Sequence, residues 1–197
     1  MYSLPTKIKI GDNEFNIRNN GDYRMVLECF SALQDTELSE EERIISSLII
    51  FYEDFNSYRD VAIKLNEDTL ATEAVKKMYD FFNCGQKDVG AKQNYKLIDW
   101  EQDSQTICSA INNVAKTEIR AVEYCHWWTF MGYYLSIGES VLSTVVGIRD
   151  KIARGKKLED YENKFKKDNP QYFAFDYRSA SQIQEDEEFR RMWEGGQ

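Results

Sequence analysis

The stretch Glu123-Tyr124-Cys125-His126-Trp127-Trp128-Thr129-Phe130 places the only histidine of the chain directly before two of its four tryptophans. Burying one large apolar side chain is worth roughly 1.5–3 kcal/mol, so we expect this segment to anchor a core or a partner surface. Apolar residues recur on more than one side of the surrounding sequence. This pattern predicts a single helix from Glu118 to Ile137, capped by Thr117 and lying at the centre of a helical bundle.

The sequence before this helix predicts a β-hairpin followed by several helices. Polar and apolar residues alternate on both sides of the turn-forming cluster at positions 11–14, which is typical of a short hairpin. Ser39 followed by Glu42 forms a capping box, and the residues behind it repeat with helical spacing. The predicted elements are the hairpin over 7–17, helices that begin after Asp22, after Ser39, after the cap Asp68 and at Asp99, and a polar loop over 85–95. The stretch from Tyr58 to Leu65 shows a weaker helical pattern, which indicates a short helix at most.

The sequence after the central helix predicts two more helices and a tail. Ser140 is placed to cap a helix with apolar residues at four-three-four spacing, and the segment from Leu158 to Phe165 shows a second helical face. Pro170 marks a boundary before clustered aromatic residues and an acidic run over 185–188. We therefore expect a mainly α fold, a bundle of about six to seven helices with a short N-terminal β-hairpin and a C-terminal tail. The predicted division is a helical domain over 1–168 and an aromatic-acidic tail over 169–197.

The composition argues against several classes of function. A net charge of −9 disfavours general nucleic-acid binding, which needs a surplus of Lys and Arg on one face. The four cysteines lie far apart, so we expect no metal site, redox motif or cofactor. No catalytic motif is found, and His126 is better explained as a core or interface residue than as the partner of a nucleophile such as Cys108. Charges near the N-terminus and the lack of a long apolar run predict a soluble, cytoplasmic protein with no membrane span.

The only basic part of the chain lies over residues 149–167. Two interpretations are open: this stretch contacts an acidic partner surface, or it is simply a solvated helix face. In both cases the molecule is dipolar, because the N-terminal bulk and the tail are acidic. We expect the basic end of one copy to attract the acidic surface of another, and head-to-tail contacts of this kind build open assemblies.

Five short landmarks follow one another along residues 1–168. They are Leu4-Pro5 before the hairpin, Asp22-Tyr23-Arg24, Asp99-Trp100-Glu101-Gln102-Asp103, His126-Trp127-Trp128-Thr129-Phe130, and Ile148-Arg149 with the Lys-rich stretch that ends at Lys167. In this order the chain resembles the tail assembly chaperones encoded by long-tailed, non-contractile phages and prophages of Gram-positive bacteria. The His-Trp-Trp-x-Phe element is the one fairly specific motif among them. The polar loop over 85–95 and the tail after Pro170 depart from the family pattern.

The resemblance implies a non-enzymatic assembly factor of the host cytoplasm. Such chaperones coat the tape measure protein, keep it soluble, and recruit the major tail tube protein that displaces them. The candidate partner contacts are aromatic residues of the central helix, basic residues behind it and one tail tryptophan: Trp127, Trp128, Phe130, Tyr134, Arg149, Lys151, Arg154, Lys156, Lys157 and Trp193. The alternative for the aromatic residues, above all for Trp128, is that they fill this protein's own core.

Two rival classes of function are weighed against the chaperone. The first is a minor structural or connector protein that stays in the virion. The second is an acidic decoy that mimics nucleic acid. The decoy is disfavoured because 25 Lys and Arg residues are mixed with 34 Asp and Glu residues, whereas mimicry needs a dense stripe of one sign.

Overall fold

The computed structural model describes residues 3–86 and 95–174. These residues form a two-stranded antiparallel hairpin and eight α helices, which confirms the mainly α fold with an N-terminal hairpin. The helix count exceeds the expected six to seven because the weakly periodic segment after Ser57 is a complete helix. The elements are β1 (Lys7–Ile10), β2 (Asn13–Asn16), α1 (Tyr23–Gln34), α2 (Glu40–Phe51), α3 (Tyr58–Lys64), α4 (Asp68–Phe82), α5 (Ser104–Ala115), α6 (Trp127–Leu135), α7 (Val141–Ala153) and α8 (Asp160–Asp168).

The chain divides into two compact units. We call Met1–Val89 with Ile111–Ser136 the N-terminal unit, and Gly90–Ala110 with Ile137–Gln197 the C-terminal unit. The proposed division into 1–168 and 169–197 stays a prediction. Most of the predicted loop over 85–95 and most of the predicted tail, from residue 175 onward, lie outside the described residues. Within residues 3–86 and 95–174, none of the helices has the length and hydropathy of a membrane-spanning segment.

Aromatic side chains form much of the core of the N-terminal unit. Phe15 of β2 packs against Phe55 and Tyr52, and Phe51 of α2 contacts the rings of α4 edge to face. Arg18 stabilises the end of α2, because its guanidinium donates to the backbone carbonyls of Ile49, Ile50, Tyr52 and Phe55. The last carbonyls of a helix have no partner inside it, so this side chain supplies bonds that the helix itself cannot make.

Three predicted helix caps are present, and one is displaced. The Asp22 carboxylate accepts from the Arg24 amide, and Ser39 forms the expected capping box with Glu42. Ser140 caps α7 and forms its own capping box with Ser143. Asp68 was expected to cap α4 but is its first residue, so that prediction is wrong by one position.

The predicted helix over 118–137 is wrong in its N-terminal half. Residues Ile119–Ala121 form a 3-10 turn, the chain then extends, and α6 begins only at Trp127. The extended part is held by α1, because the Tyr23 amide donates to the Cys125 carbonyl and Asp22 forms an antiparallel bridge with His126. These long-range backbone bonds override the helical periodicity of the sequence.

The helix predicted to begin at Asp99 begins five residues later, at Ser104. The Asp99 carboxylate accepts from the amides of Glu101 and Gln102 and so closes a turn in front of α5. Asp and Asn favour such local turns because their side chains compete with the helical backbone bonds. The correction matters for function, because Asp103, the residue directly before α5, is buried in the core of the C-terminal unit.

Candidate partner-binding surface

Trp127 and Trp128 connect α6 to the C-terminal end of α4 by hydrogen bonds. The indole N–H of Trp127 donates to the Phe82 carbonyl, and that of Trp128 donates to the Phe81 carbonyl, each at 2.9 Å. These carbonyls belong to the last two residues of α4, where helical partners are missing. Trp127 is buried and Trp128 is half-buried. Both side chains therefore form contacts within the N-terminal unit, and of the two only Trp128 is partly accessible to a partner.

His126 is the N-cap of α6. Its Nδ1 accepts from the Trp128 amide at 3.0 Å, and its Nε2 lies 3.0 Å from the Pro5 carbonyl. An amide can only donate and a carbonyl can only accept, so the ring is the neutral tautomer with its proton on Nε2. Burial lowers the pKa of His126, which favours the same neutral form. Both ring nitrogens are engaged with the backbone, which leaves neither one directed at a nucleophile.

The Asp22-Tyr23-Arg24 landmark holds the extended segment over 122–126, which leads into this motif. Asp22 accepts from the Cys125 amide at 2.9 Å, and Arg24 donates to the Val122 carbonyl at 2.6 Å. The Tyr23 ring stacks on Phe130 with 4.4 Å between centroids. Three landmarks of the sequence are therefore in contact in the N-terminal unit. They are Pro5, Asp22-Tyr23-Arg24 and the motif over 126–130. Phe130 is buried there, so the structure places it in the core.

The other two landmarks meet in the C-terminal unit. Asp103 and Arg149 form a bidentate ion pair with N–O distances of 2.6 and 2.9 Å. The Asp103 side chain is 1% exposed and the Arg149 side chain is 0% exposed. Arg149 also donates to the carbonyls of Leu97 and Tyr172. Arg149 was a candidate for contact with an acidic partner, but its charge is already matched inside the core. A buried arginine of this kind organises the segments around it.

The remaining candidate contacts differ in accessibility. Lys151 is paired with Glu162 at 2.7 Å, and Arg154 is paired with Asp150 at 2.7 Å. Lys156 and Lys157 are exposed, and Tyr134 on α6 is half-buried. Trp193 lies outside the described residues. The described candidates are thus divided between the two units and differ in accessibility, and their roles in partner binding stay predictions.

An apolar groove in the N-terminal unit was not predicted as a site. It has a volume of about 210 Å³ and is lined by Leu4, Thr117, Ile119, Val122, Tyr124, Cys125, His126, Thr129 and Tyr133. At its edge Leu4 and Tyr124 are 44% and 48% exposed. The Tyr124 hydroxyl donates to the Asn20 carbonyl at 2.9 Å, which fixes the ring. Nothing local in the sequence predicts this groove, because its residues meet only after the extended segment before α6 is held against α1.

The size and chemistry of the groove favour a side chain over a small ligand. Small-molecule sites usually measure roughly 300–1,000 Å³, which is larger than this groove. Desolvation raises the pKa of the Cys125 thiol, so this sulfur is a poor nucleophile near neutral pH. Within residues 3–86 and 95–174, no group of three or more His, Cys, Asp or Glu side chains is arranged to hold a metal ion. The groove is best suited to receive one or two apolar side chains.

Comparison with known proteins identifies the family. A family model described as Bacteriophage Gp15 protein matches residues 2–173. Neither the curated proteins nor the solved structures give a match. Because the family match covers most of the 197 residues, the chain belongs to the Bacteriophage Gp15 protein family and is a phage-associated protein.

Proposed function

We propose that this protein is a non-enzymatic tail assembly chaperone, which binds the tape measure protein, keeps it soluble, and recruits subunits of the tail tube. Membership of a bacteriophage family supports a role in making phage particles. The observation that carries the proposal is the apolar groove with exposed Leu4 and Tyr124 at its edge. Exposed apolar surface of this kind suits an amphipathic partner helix, which presents side chains at i, i+3 and i+4.

A contact of this size agrees with a reversible chaperone. Each large apolar side chain that the groove buries is worth roughly 1.5–3 kcal/mol. Association itself costs an estimated 4–15 kcal/mol, so one or two anchors give weak binding by each copy. A long helical partner covered by many copies is then held by many weak contacts. Tail tube subunits displace such copies one at a time, and self-association of the chaperone adds to the coverage.

The test is co-expression with the tape measure protein from the same genome, followed by a pull-down of the soluble fraction. Leu4→Ser and Tyr124→Ser change the edge of the groove. Ile63→Ser and Tyr58→Ser are the matched controls, since these side chains are each 60% exposed on α3. We expect wild type and both controls to recover a soluble complex and the groove variants to lose most of it. Trp127→Ala is unsuitable as a binding probe because that side chain is buried.

Two outcomes would contradict the proposal in different ways. If the tape measure protein stays insoluble beside well-folded wild-type chain, the chaperone function fails, and purified virions should then contain this chain as a minor structural or connector protein. If the complex forms but Lys156→Glu with Lys157→Glu abolishes it while the groove variants do not, the basic stretch is the binding surface. Light scattering over a range of salt and protein concentrations tests self-association separately.

A further inference from the structure

Two side chains of α6 that line the apolar groove, Thr129 and Tyr133, carry hydroxyl groups. They are four residues apart, so they lie on the same side of the helix, one turn from each other. Both residues are half-buried, and within residues 3–86 and 95–174 neither hydroxyl forms a hydrogen bond. Neither hydroxyl oxygen is fully enclosed by the described part of the protein. Both groups are therefore open to a ligand in the groove.

The start of α6 explains why the Thr129 hydroxyl lacks its usual partner. A helical Ser or Thr commonly bonds to the carbonyl four residues earlier, as Ser136 does with Gly132 at 2.7 Å. For Thr129 that carbonyl belongs to Cys125, which lies before the helix in the extended segment and accepts from the Tyr23 amide. The hydroxyl is thus left for a partner outside its own helix.

The other polar side chains of the groove, apart from the exposed Thr117, already have partners. The Tyr124 hydroxyl donates to the Asn20 carbonyl at 2.9 Å. Both ring nitrogens of His126 are engaged with the backbone. The Cys125 thiol donates to the His126 carbonyl, with 3.7 Å between sulfur and oxygen. The two hydroxyls of α6 are therefore the half-buried polar groups that remain for a ligand.

The charge of the groove favours a neutral ligand. Among the described residues that line it, none is Asp, Glu, Lys or Arg, and the hydrogen bonds of His126 hold that ring in its neutral form. A charged side chain that entered the groove would lose its hydration without gaining a counterion. The occupant should therefore be uncharged.

The shape of the groove favours an aromatic ring. Leu4, Ile119 and Val122 supply apolar walls, and the rings of Tyr124 and Tyr133 supply aromatic ones. An apolar cavity of about 150 Å³ is sufficient for benzene, so a groove of about 210 Å³ has room for one substituted ring. Aromatic pairs also gain from their ring geometry beyond the area that they bury. Phenylalanine would leave the two free hydroxyls without a partner, whereas tyrosine brings both a ring and a hydroxyl.

We propose that the groove binds a tyrosine side chain of an amphipathic partner helix, and that Thr129 and Tyr133 select this side chain by hydrogen bonding its hydroxyl. A hydroxyl both donates and accepts, so the phenol oxygen and the two protein hydroxyls satisfy one another. One neutral hydrogen bond of this kind changes affinity by roughly two- to tenfold. The partner helix rests on the proposed function, whereas the preference of the groove for a phenol is tested without that partner.

The experiment is an NMR titration of the ¹⁵N-labelled full chain with two probes, p-cresol as the side chain of tyrosine and toluene as that of phenylalanine. We expect p-cresol to shift amide signals of the residues that line the groove. The ratio of the p-cresol affinity to the toluene affinity should fall roughly two- to tenfold in Thr129→Val/Tyr133→Phe, which removes both hydroxyls. The matched control is Tyr79→Phe, which removes a hydroxyl from an exposed tyrosine of α4 and should leave the ratio unchanged.

Two results would overturn the inference. The first is the absence of shifts at the groove when p-cresol reaches its solubility limit. The second is an affinity ratio that is the same in wild type and in Thr129→Val/Tyr133→Phe. The pull-down separates this inference from the proposed function. If the complex is lost in the groove variants while the affinity ratio does not depend on the two hydroxyls, the inference fails and the chaperone function stands.

Discussion

Removing the charge of Asp103 should destabilise the C-terminal unit far more than removing the charge of a surface carboxylate. Asp103 lies 2.6 and 2.9 Å from the Arg149 guanidinium, and neither side chain reaches solvent. Asp103→Asn keeps the shape but leaves the arginine charge buried without a counterion. Breaking a buried ion pair in this way typically costs about 3–5 kcal/mol. The matched control is Asp150→Asn on α7, because its exposed pair with Arg154 is worth only about 0.3–0.5 kcal/mol.

Hydrogen exchange of the α7 amides is the suitable assay, because it reports the stability of this unit without assuming that the whole chain unfolds in one step. A loss of 3–5 kcal/mol corresponds to roughly a hundredfold to several thousandfold faster exchange. The control should change exchange by less than about threefold. Equal acceleration by Asp103→Asn and Asp150→Asn would refute the conclusion that the buried pair organises this unit. The exchange rate of the α7 amides in Arg149→Lys should fall between those of wild type and Asp103→Asn. Lysine keeps the positive charge but lacks the planar guanidinium that forms a bidentate pair.

Three further predictions concern the N-terminal unit and are measured as urea midpoints. Because the pKa of His126 is lowered in the folded state, the unfolded chain binds a proton at this residue first as the pH falls. The free energy of unfolding should therefore decrease below about pH 6.5, by at most about 1.4 kcal/mol per pH unit. His126→Asn should abolish this pH dependence, and a free energy of unfolding that increases on acidification would contradict the prediction. Gly85→Ala should lower the free energy of unfolding by about 1 kcal/mol or more, because φ at this position is +70° and the added Cβ would lie 3.2 Å from the Trp128 side chain. Gly132→Ala on α6 should instead raise it by about 0.5–1 kcal/mol, because the added Cβ would lie in open space. Trp127→Phe should lower the free energy of unfolding by about 1–3 kcal/mol, because the Phe82 carbonyl loses its buried donor. Trp128→Phe should lower it less, because water reaches the Phe81 carbonyl at that half-buried site. Equal losses for the two variants would contradict the difference in burial.

The landmarks of the sequence act differently from what their patterns suggest. The two tryptophans were weighed as partner contacts, yet their indole N–H groups complete the end of α4. Arg149 was grouped with the basic stretch, yet it is the buried centre of the C-terminal unit. Composition and spacing identify such residues as unusual but do not name their partners. The partners are backbone carbonyls and a carboxylate 46 positions away, which no local pattern contains.

What the sequence determined by itself was mainly local. The hairpin, the caps at Asp22, Ser39 and Ser140 and the mainly α fold follow from interactions between residues a few positions apart. Tertiary structure alone decided where α6 begins, because the Asp22 contact with the Cys125 amide spans 103 positions and pulls the segment before Trp127 out of a helix. It also decided which aromatic residues are buried and which surface forms the apolar groove. Helical periodicity shows that a residue needs an apolar environment, whereas long-range hydrogen bonds and ion pairs determine which part of the chain provides it.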